Sequence, residues 1–136
     1  MKNLLTVNNS DEIMSAILKI LIVDDEPDIC YSLSRTLSKR GFTTSSSHTL
    51  ADAETQLKAN QPNILLLDNH LPDGRGVDFA NKINHKYPNM KTIMITAHDS
   101  PEDRFKAYNN GIDFFLPKPF TIAQINHAVN LVMEGM

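Results

Sequence analysis

Five side chains in this sequence could perform chemistry together: the carboxylates of Asp24, Asp25 and Asp68, the hydroxyl of Thr96 and the amine of Lys118. Each lies at, or just after, the end of a short apolar run typical of a buried strand. Parallel strands of one sheet end at the same edge, and functional sites form there. If the runs are parallel strands, these side chains converge on one site although they are distant in the sequence.

Three neighbouring carboxylates repel one another unless a cation lies among them. All-oxygen ligands suit a hard cation, and Mg²⁺ needs only one or two direct carboxylates because it keeps several of its waters. The Lys118 ammonium could pair with a carboxylate or phosphate oxygen, and the Thr96 hydroxyl could donate a hydrogen bond to an incoming anion. This set favours an aspartyl phosphate on Asp68, with the metal and the lysine neutralising the phosphoryl oxygens.

Each of these features alone has a commoner structural explanation. An acidic pair before a helix often compensates the helix dipole, a threonine that ends a strand is often a turn residue, and a Lys-Pro pair can simply stop a strand. The functional interpretation depends on their occurrence together at the ends of successive strands. The sequence leaves open whether the Lys118–Pro119 peptide bond is cis.

The apolar runs are predicted as five strands, at residues 18–23, 42–48, 64–68, 91–96 and 112–116. The second run is rich in threonine and serine, which places it at a sheet edge. Five amphipathic helices alternate with these strands. The pattern predicts an α/β fold with a doubly wound, five-stranded parallel sheet, flavodoxin-like, in the strand order 2-1-3-4-5.

Capping residues and apolar spacing define the helices. Thr49 and Thr121 are each followed by a polar residue three positions later, which is the spacing of a capping box. The residues predicted to face the core are Ile29, Leu33, Leu37, Leu50, Ala53, Leu57, Val77, Ala80, Ile83, Ile122, Ile125, Val129 and Val132. The fourth helix offers only Phe105, Ala107 and Tyr108, so we expect it to be the least firmly anchored.

Length and composition exclude several classes of protein. The 136 residues correspond to one domain at 18–136, preceded by a predicted N-terminal extension at 1–17. A net charge of −3 gives no electrostatic case for direct nucleic-acid binding, and no apolar run approaches the ~20 residues of a membrane span. Cys30 is predicted as a core residue, and with one cysteine and no secretory signal the expected compartment is a reducing cytoplasm.

Four motifs, in this order, closely resemble the receiver domain of two-component response regulators. They are Ile-Leu-Ile-Val-Asp24-Asp25-Glu, Leu-Leu-Leu-Asp68-x-x-Leu-Pro72-Asp-Gly74, Ile-Thr96-Ala97 and Lys118-Pro119-Phe120. The resemblance runs from about Lys19 to Val132. It implies a phosphoprotein of a phosphorelay that catalyses only its own phosphorylation and dephosphorylation.

The resemblance also implies a role for each site residue. Asp68 would be the phosphoacceptor, supplied by a histidine kinase or a histidine phosphotransfer protein. Mg²⁺ would be held by Asp25, Asp68 and the backbone carbonyl of His70, with Asp24 acting through water. Lys118 and Thr96 would contact the phosphoryl group.

In this family, phosphorylation draws the threonine hydroxyl of the site towards the phosphate, and the aromatic residue of the fifth strand, here Phe115, turns inward. The surface of the fourth helix, fifth strand and fifth helix would then change. Some receivers form phosphorylation-dependent homodimers there through charged pairs, but the last helix has no lysine or arginine. Ala128, Leu131 and Met133 leave an apolar alternative. The sequence does not identify the downstream output domain or protein.

His70 and His98 each lie two residues beyond a site residue. The resemblance implies that these positions tune the lifetime of the phosphoryl group, because they flank the path by which water reaches it. Two exposed loop histidines with no role are the simpler explanation. A zinc site made with the carboxylates is a third, less favoured interpretation, because the remaining ligands are hard oxygens.

Three other functions share parts of the pattern. An aspartyl-phosphate phosphohydrolase would place a second carboxylate two residues after Asp68, where this sequence has His70. A flavin-binding electron carrier needs a hydroxyl- or glycine-rich phosphate loop after the first strand, where the acidic residues would repel phosphate. An interaction module that is never phosphorylated would not need the complete set of acids, threonine and lysine.

Overall fold

A computed structural model describes residues 18–136 of the chain. The predicted N-terminal extension, residues 1–17, lies outside the described residues. Within the described part, no helix is both long enough and apolar enough to cross a bilayer.

Five strands form one parallel sheet: β1 (Lys19–Val23), β2 (Thr43–Ser47), β3 (Ile64–Asp68), β4 (Lys91–Thr96) and β5 (Phe114–Pro117). Their order is β2-β1-β3-β4-β5, and every pairing is parallel. The predicted fold and strand order are confirmed. Strand β5 begins later than predicted because the Ile112 N–H donates to the Ala107 carbonyl and so still belongs to the preceding helix end.

Five helices pack on the two faces of the sheet: α1 (Pro27–Ser38), α2 (Leu50–Ala59), α3 (Gly76–Asn84), α4 (Pro101–Asn109) and α5 (Ile122–Glu134). The capping box predicted at Thr121 is present in both directions. At Thr49 only half of the predicted box forms: its side chain accepts the Asp52 N–H, while the Asp52 carboxylate accepts from Gln56 instead.

Alternate residues of the central strands enter two hydrophobic clusters, one on each face of the sheet. Ile20 and Ile22 pack with the buried faces of α1 and α5. Leu21 and Val23 pack with α2, α3 and the single buried residue of α4, Ala107. Strand β3 is buried along its whole length, so Asp68 ends a strand that has no solvated face.

Two predicted positions in helix α5 are wrong. Ile122 is 65% exposed because it occupies the first position of the helix, in a surface groove with Tyr31 and Arg35. Ala128, considered above as a surface residue, is fully buried against the sheet instead. Of the apolar residues considered for a surface on α5, Leu131 is the one that is exposed.

Arg40, which lies just after the end of α1, bonds to the outer surface of α5. The Arg40 guanidinium donates to the side-chain carbonyls of Asn126 and Asn130 and lies 5.1 Å from the centre of the Phe42 ring.

Helix α4 buries few side chains, since Phe105 and Tyr108, two of its three predicted apolar anchors, are exposed. The expectation that α4 is the most sparsely anchored helix agrees with this packing.

Candidate functional site

The structure brings the three predicted carboxylates together at the carboxyl edge of the sheet. One carboxylate oxygen from each of Asp24, Asp25 and Asp68 lies within 4.8 Å of the others. Asp24 and Asp68 are buried, whereas Asp25 faces solvent. Three oxygens at this spacing, one of them open to water, suit a hard divalent cation that keeps part of its hydration shell. The donor set therefore fits the Mg²⁺ expected from the sequence.

The loop after β1 fixes Asp24 from several directions. The Asp24 N–H donates to the Ser47 carbonyl of β2, and its Oδ1 atom accepts the Glu26 N–H at 2.9 Å. The Cys30 thiol packs below the loop, 3.3 Å from the Asp24 carbonyl oxygen. Cys30 is buried in the core cluster, as predicted. Burial, and then the charge of Asp24, raise its pKa to about 11.

Lys118 reaches the acidic cluster from the end of β5. Its backbone N–H donates to the Thr96 carbonyl at 2.7 Å, and the Lys118–Pro119 peptide bond is cis. Its Nζ atom lies 2.7 Å from Asp24 Oδ2 and 3.5 Å from Asp68 Oδ2. Burial alone would lower the pKa of Lys118, but the hydrogen bond to Asp24 and the surrounding carboxylates raise it above its ordinary value.

Asp68 is 5% exposed at the end of β3. Burial, followed by the charge of Asp24, raises the pKa of Asp68 from 3.8 to about 6, against the opposing effect of Lys118. The backbone N–H of His70 lies 3.5 Å from Asp68 Oδ1. A carboxylate in this environment is ionised at neutral pH, as a nucleophile must be, and gains from any cation that binds beside it.

Thr96 ends β4 with its side chain buried. Its Oγ1 atom accepts the backbone N–H of His98 at 3.2 Å. Accepting this bond leaves the hydroxyl proton free for donation to an anion. Asp24, Asp25, Asp68, Thr96 and Lys118 therefore lie at the same edge of the sheet, as the parallel topology requires.

The loop after β3 is held by two residues that the sequence analysis did not single out. The Asn69 side-chain carbonyl accepts the Val77 N–H at 2.9 Å. The Asp73 carboxylate accepts the N–H groups of Leu50 and Ala51, both at 2.9 Å, and so caps helix α2 from another loop. Asp73 appears in the sequence only as part of the Leu-Pro72-Asp-Gly74 motif, and no local signal indicates partners so far away in the chain.

Gly76 begins helix α3 directly behind the backbone of Asp68 and Asn69. A Cβ atom on this glycine would overlap the Asp68 carbonyl oxygen and lie 3.1 Å from Asn69 Cα. We expect Gly76→Ala to lower the free energy of unfolding by about 1 to 3 kcal/mol, the usual cost of overpacking. It should also displace the Asp68 carboxylate, because the backbone of Asp68 must shift.

Thermal unfolding followed by circular dichroism would measure this effect. Gly135→Ala is the matched control, since its Cβ would be no closer than 3.4 Å to a neighbouring atom. Equal melting temperatures for Gly76→Ala and the parent would contradict the proposed contact.

The rings of His70 and His98 lie against each other at the mouth of the site, with 4.1 Å between centroids and a tilt of 52°. Burial, then the charges of His98 and Arg75, lower the pKa of His70. Among residues 18–136, the three aspartates are the one close group of potential metal ligands, and neither histidine belongs to it. The zinc interpretation therefore has no support in this arrangement.

Phe115 lies in β5, opposite Met94 of β4. Its ring is 3% exposed and belongs to the core cluster that contains Met94 and Ala107. The inward position expected after phosphorylation is thus the position of the ring in this structure.

Comparisons with known proteins show which family the chain resembles. The family model for the response regulator receiver domain matches residues 20–130. PilR of Pseudomonas aeruginosa, a response regulator, is 35% identical over 111 residues, covering 82% of this chain and 25% of PilR. NtrC of Proteus hauseri, a DNA-binding transcriptional regulator, is 32% identical over 119 residues, covering 85% of this chain and 25% of NtrC.

Solved structures show the same architecture. The beryllofluoride-activated NtrC4 receiver domain dimer superposes with a TM-score of 0.82 at 34% identity, covering 86% of this chain and 97% of that one. The chain spans 25% to 47% of the length of the curated relatives it matches. More than half of the length of each of those relatives therefore lies outside the region that aligns with this chain.

Proposed function

Because the chain belongs to the response regulator receiver domain family of two-component signalling, we propose that Asp68 is its phosphoacceptor. The single observation that carries the proposal is the position of Lys118, whose Nζ lies between the buried carboxylates of Asp24 and Asp68. A receiver without phosphorylation would have no reason to keep a buried ammonium beside a nucleophile and a cluster of metal-ligating acids.

Mg²⁺ is the cofactor we assign to the acidic cluster. Asp25, Asp68 and the backbone carbonyl of His70 would hold it directly, and Asp24 would do so through water. When bound, the ion supplies positive charge that neutralises the carboxylates and the phosphoryl oxygens. Asp68 carries the partner's phosphoryl group after the P–N bond of a phosphohistidine breaks and an O–P bond forms. Lys118 and the Thr96 hydroxyl contact its oxygens.

The donor class is a histidine kinase or a histidine phosphotransfer protein, and the expected compartment is the cytoplasm. On this proposal the chain catalyses its own phosphorylation and the hydrolysis of its acylphosphate, and no other reaction. Direct contact with nucleic acid or membrane is not part of the proposed role, and the output domain or protein that receives the signal is left unassigned.

Incubation with Mg²⁺ and a small acyl-phosphate donor, followed by intact mass measurement, tests the proposal. We expect a single phosphate-sized gain that disappears when a chelator removes the metal. No gain under any condition would leave an interaction module that is never phosphorylated as the better description.

Phosphorylation is proposed to act through Thr96 and the surface of α4, β5 and α5. A phosphoryl group adds roughly −1.5 to −2 charge and strong acceptors, which would draw the Thr96 hydroxyl towards it. Since the Phe115 ring is already buried, we place the larger movement in α4 rather than in this ring. Homodimerisation on this surface would use exposed apolar residues such as Phe105 and Leu131, because α5 offers no lysine or arginine for charged pairs.

The paired rings of His70 and His98 are proposed to tune the lifetime of the acylphosphate. Truncating one ring opens the path by which water approaches the phosphorus, so His98→Ala is expected to dephosphorylate severalfold faster, with unchanged Mg²⁺ affinity. Decay of the phosphorylated mass over time measures this. His85→Ala, which removes a solvent-exposed histidine from the end of α3, is the control. Equal decay rates in His98→Ala and the parent would remove the tuning role.

A further inference from the structure

Gln56 lies in helix α2 and holds the end of strand β2. Its Nε2 atom donates to the backbone carbonyl of Ser46 at 2.7 Å and to the Ser47 hydroxyl oxygen at 2.8 Å. The same atom lies 3.1 Å from Asp52 Oδ2. One side-chain amide of α2 therefore contacts the last two residues of β2.

This amide supplies a partner that the sheet cannot. Within residues 18–136, β2 is an edge strand that pairs with β1 alone. Successive carbonyls of a strand point to opposite sides, and the Ser47 carbonyl faces β1, so the Ser46 carbonyl faces away from it. No strand lies beside the Ser46 carbonyl, and Gln56 satisfies it from the helix instead.

The strand end that Gln56 holds is bonded to Asp24. Ser47 is 1% exposed, and its carbonyl accepts the Asp24 N–H at 3.0 Å. A shift of Ser47 would therefore move the backbone of one member of the acidic cluster. Asp68, Thr96 and Lys118 are less dependent on this contact, because they come from β3, β4 and β5, which do not pair with β2.

Asp52 determines which end of the Gln56 amide faces the strand. Hydrogen bonds from Ser47 and Gln56 lower the pKa of Asp52, so its carboxylate is ionised at neutral pH. An ionised carboxylate accepts hydrogen bonds and donates none, so it binds the NH₂ end of the glutamine and not the carbonyl end. The same NH₂ group then reaches β2.

We propose that Gln56 is a positioning residue for the metal site, which sets the position of Asp24 through the end of β2. The proposal rests on the proposed function, since that function assigns Mg²⁺ to the acidic cluster. Replacing a residue that orients a metal ligand from outside the coordination shell costs roughly 10- to 100-fold in metal affinity. We expect the lower end of this range, because Gln56 acts through Ser47 and Asp24 is assigned to act through water.

Gln56→Met keeps the approximate length of the side chain and deletes both N–H groups. We expect its Mg²⁺ dissociation constant, measured by calorimetry, to be about tenfold higher than that of the parent. Phosphorylation by a small acyl-phosphate donor should need about tenfold more Mg²⁺ for half of its maximal rate. The maximal rate itself should stay within about twofold of the parent, because the lost interaction acts on metal binding.

Hydrogen exchange of the Asp24 amide, followed by NMR without metal, tests the same contact in the absence of Mg²⁺ and phosphate. It should be about tenfold faster in Gln56→Met, which corresponds to the loss of roughly one net hydrogen bond. The Thr43 amide, which donates to the Leu18 carbonyl at the other end of β2, should exchange at the rate of the parent. Gln61→Met, which makes the same change on an exposed glutamine after α2, should equal the parent in every measurement.

These measurements separate failure of the positioning role from failure of the proposed function. Unchanged exchange at Asp24 overturns the positioning role, and so does an equal acceleration at Thr43, which would indicate a general loss of stability. Faster exchange at Asp24 with an unchanged Mg²⁺ dissociation constant overturns it as well. Faster exchange confined to Asp24, together with weaker Mg²⁺ binding, supports it. The proposed function fails by a different result, a parent that gains no phosphate-sized mass when Mg²⁺ is present.

Discussion

Asp68→Asn is expected to abolish the phosphate-sized mass gain, because the substitution replaces the attacking carboxylate with an amide that cannot form an acylphosphate. The remaining site is expected to stay folded, since the amide has nearly the same shape and Lys118 keeps its 2.7 Å contact with Asp24. Asp73→Asn is the matched control: it makes the same chemical change five residues further on, on a carboxylate that caps α2. A mass gain that persists in Asp68→Asn would place the phosphoacceptor elsewhere.

The same substitution has a second expected effect, on stability. The folded chain raises the pKa of Asp68 from 3.8 to about 6, so the ionised carboxylate opposes folding. This penalty is absent below the unfolded pKa, grows as pH rises through the interval between the two values, and is complete above the folded pKa. Without metal, Asp68→Asn should therefore be more stable than the parent near neutral pH, by on the order of 3 kcal/mol.

Denaturant unfolding at several pH values, with a chelator present, would measure this difference. It should shrink as pH falls from about 7 towards about 4, because the carboxyl of the parent becomes protonated and neutral. A difference that stays constant over this range would mean that the charge of Asp68 is not the cause.

Lys118→Met should slow phosphorylation by about 100-fold, the usual loss when one preorganised charge at a reacting centre is removed. The same variant should bind Mg²⁺ more tightly, because the ammonium no longer repels the cation from the acidic cluster. Without metal it should be less stable by on the order of 3 kcal/mol, since two buried carboxylates lose their partner. Excess Mg²⁺ should restore part of this stability.

Rates from intact mass, affinities from calorimetry and unfolding curves together test these expectations. Lys58→Met, which changes an exposed lysine of α2, should equal the parent in all three measurements. Lys118→Met phosphorylated at the rate of the parent would show that the lysine is not needed for phosphoryl transfer. Equal Mg²⁺ affinity would show that its charge does not act on the metal site.

The sequence predicted the sheet and the site because both depend on short-range patterns. Four apolar runs that end in an acid, an alcohol or an amine define strand ends, and parallel pairing then brings those ends to one edge. No knowledge of side-chain contacts was needed to place Asp24, Asp68 and Lys118 together. The buried faces of α1 to α3 followed from helical spacing for the same reason.

The contacts that the sequence did not predict join residues distant in the chain. Asp73 has the local character of a turn residue, yet its carboxylate caps a helix that begins 23 positions earlier. Tyr108 has the spacing of a core residue, yet it is 47% exposed and its hydroxyl bonds to the next strand. Ile122 follows the apolar periodicity of α5 but lies at its first position, outside the sheet. The spacing of apolar residues does not show at which residue a helix extends beyond the core.

The burial of Cys30 makes this chain convenient for site-specific labelling. Its single native thiol is shielded from solvent and has a pKa of about 11, so thiol-reactive dyes would leave it untouched at neutral pH. A single exposed cysteine, introduced for example by Lys106→Cys on α4, would then carry the whole fluorescent signal. Movement of that helix could be followed in real time without first removing a background thiol.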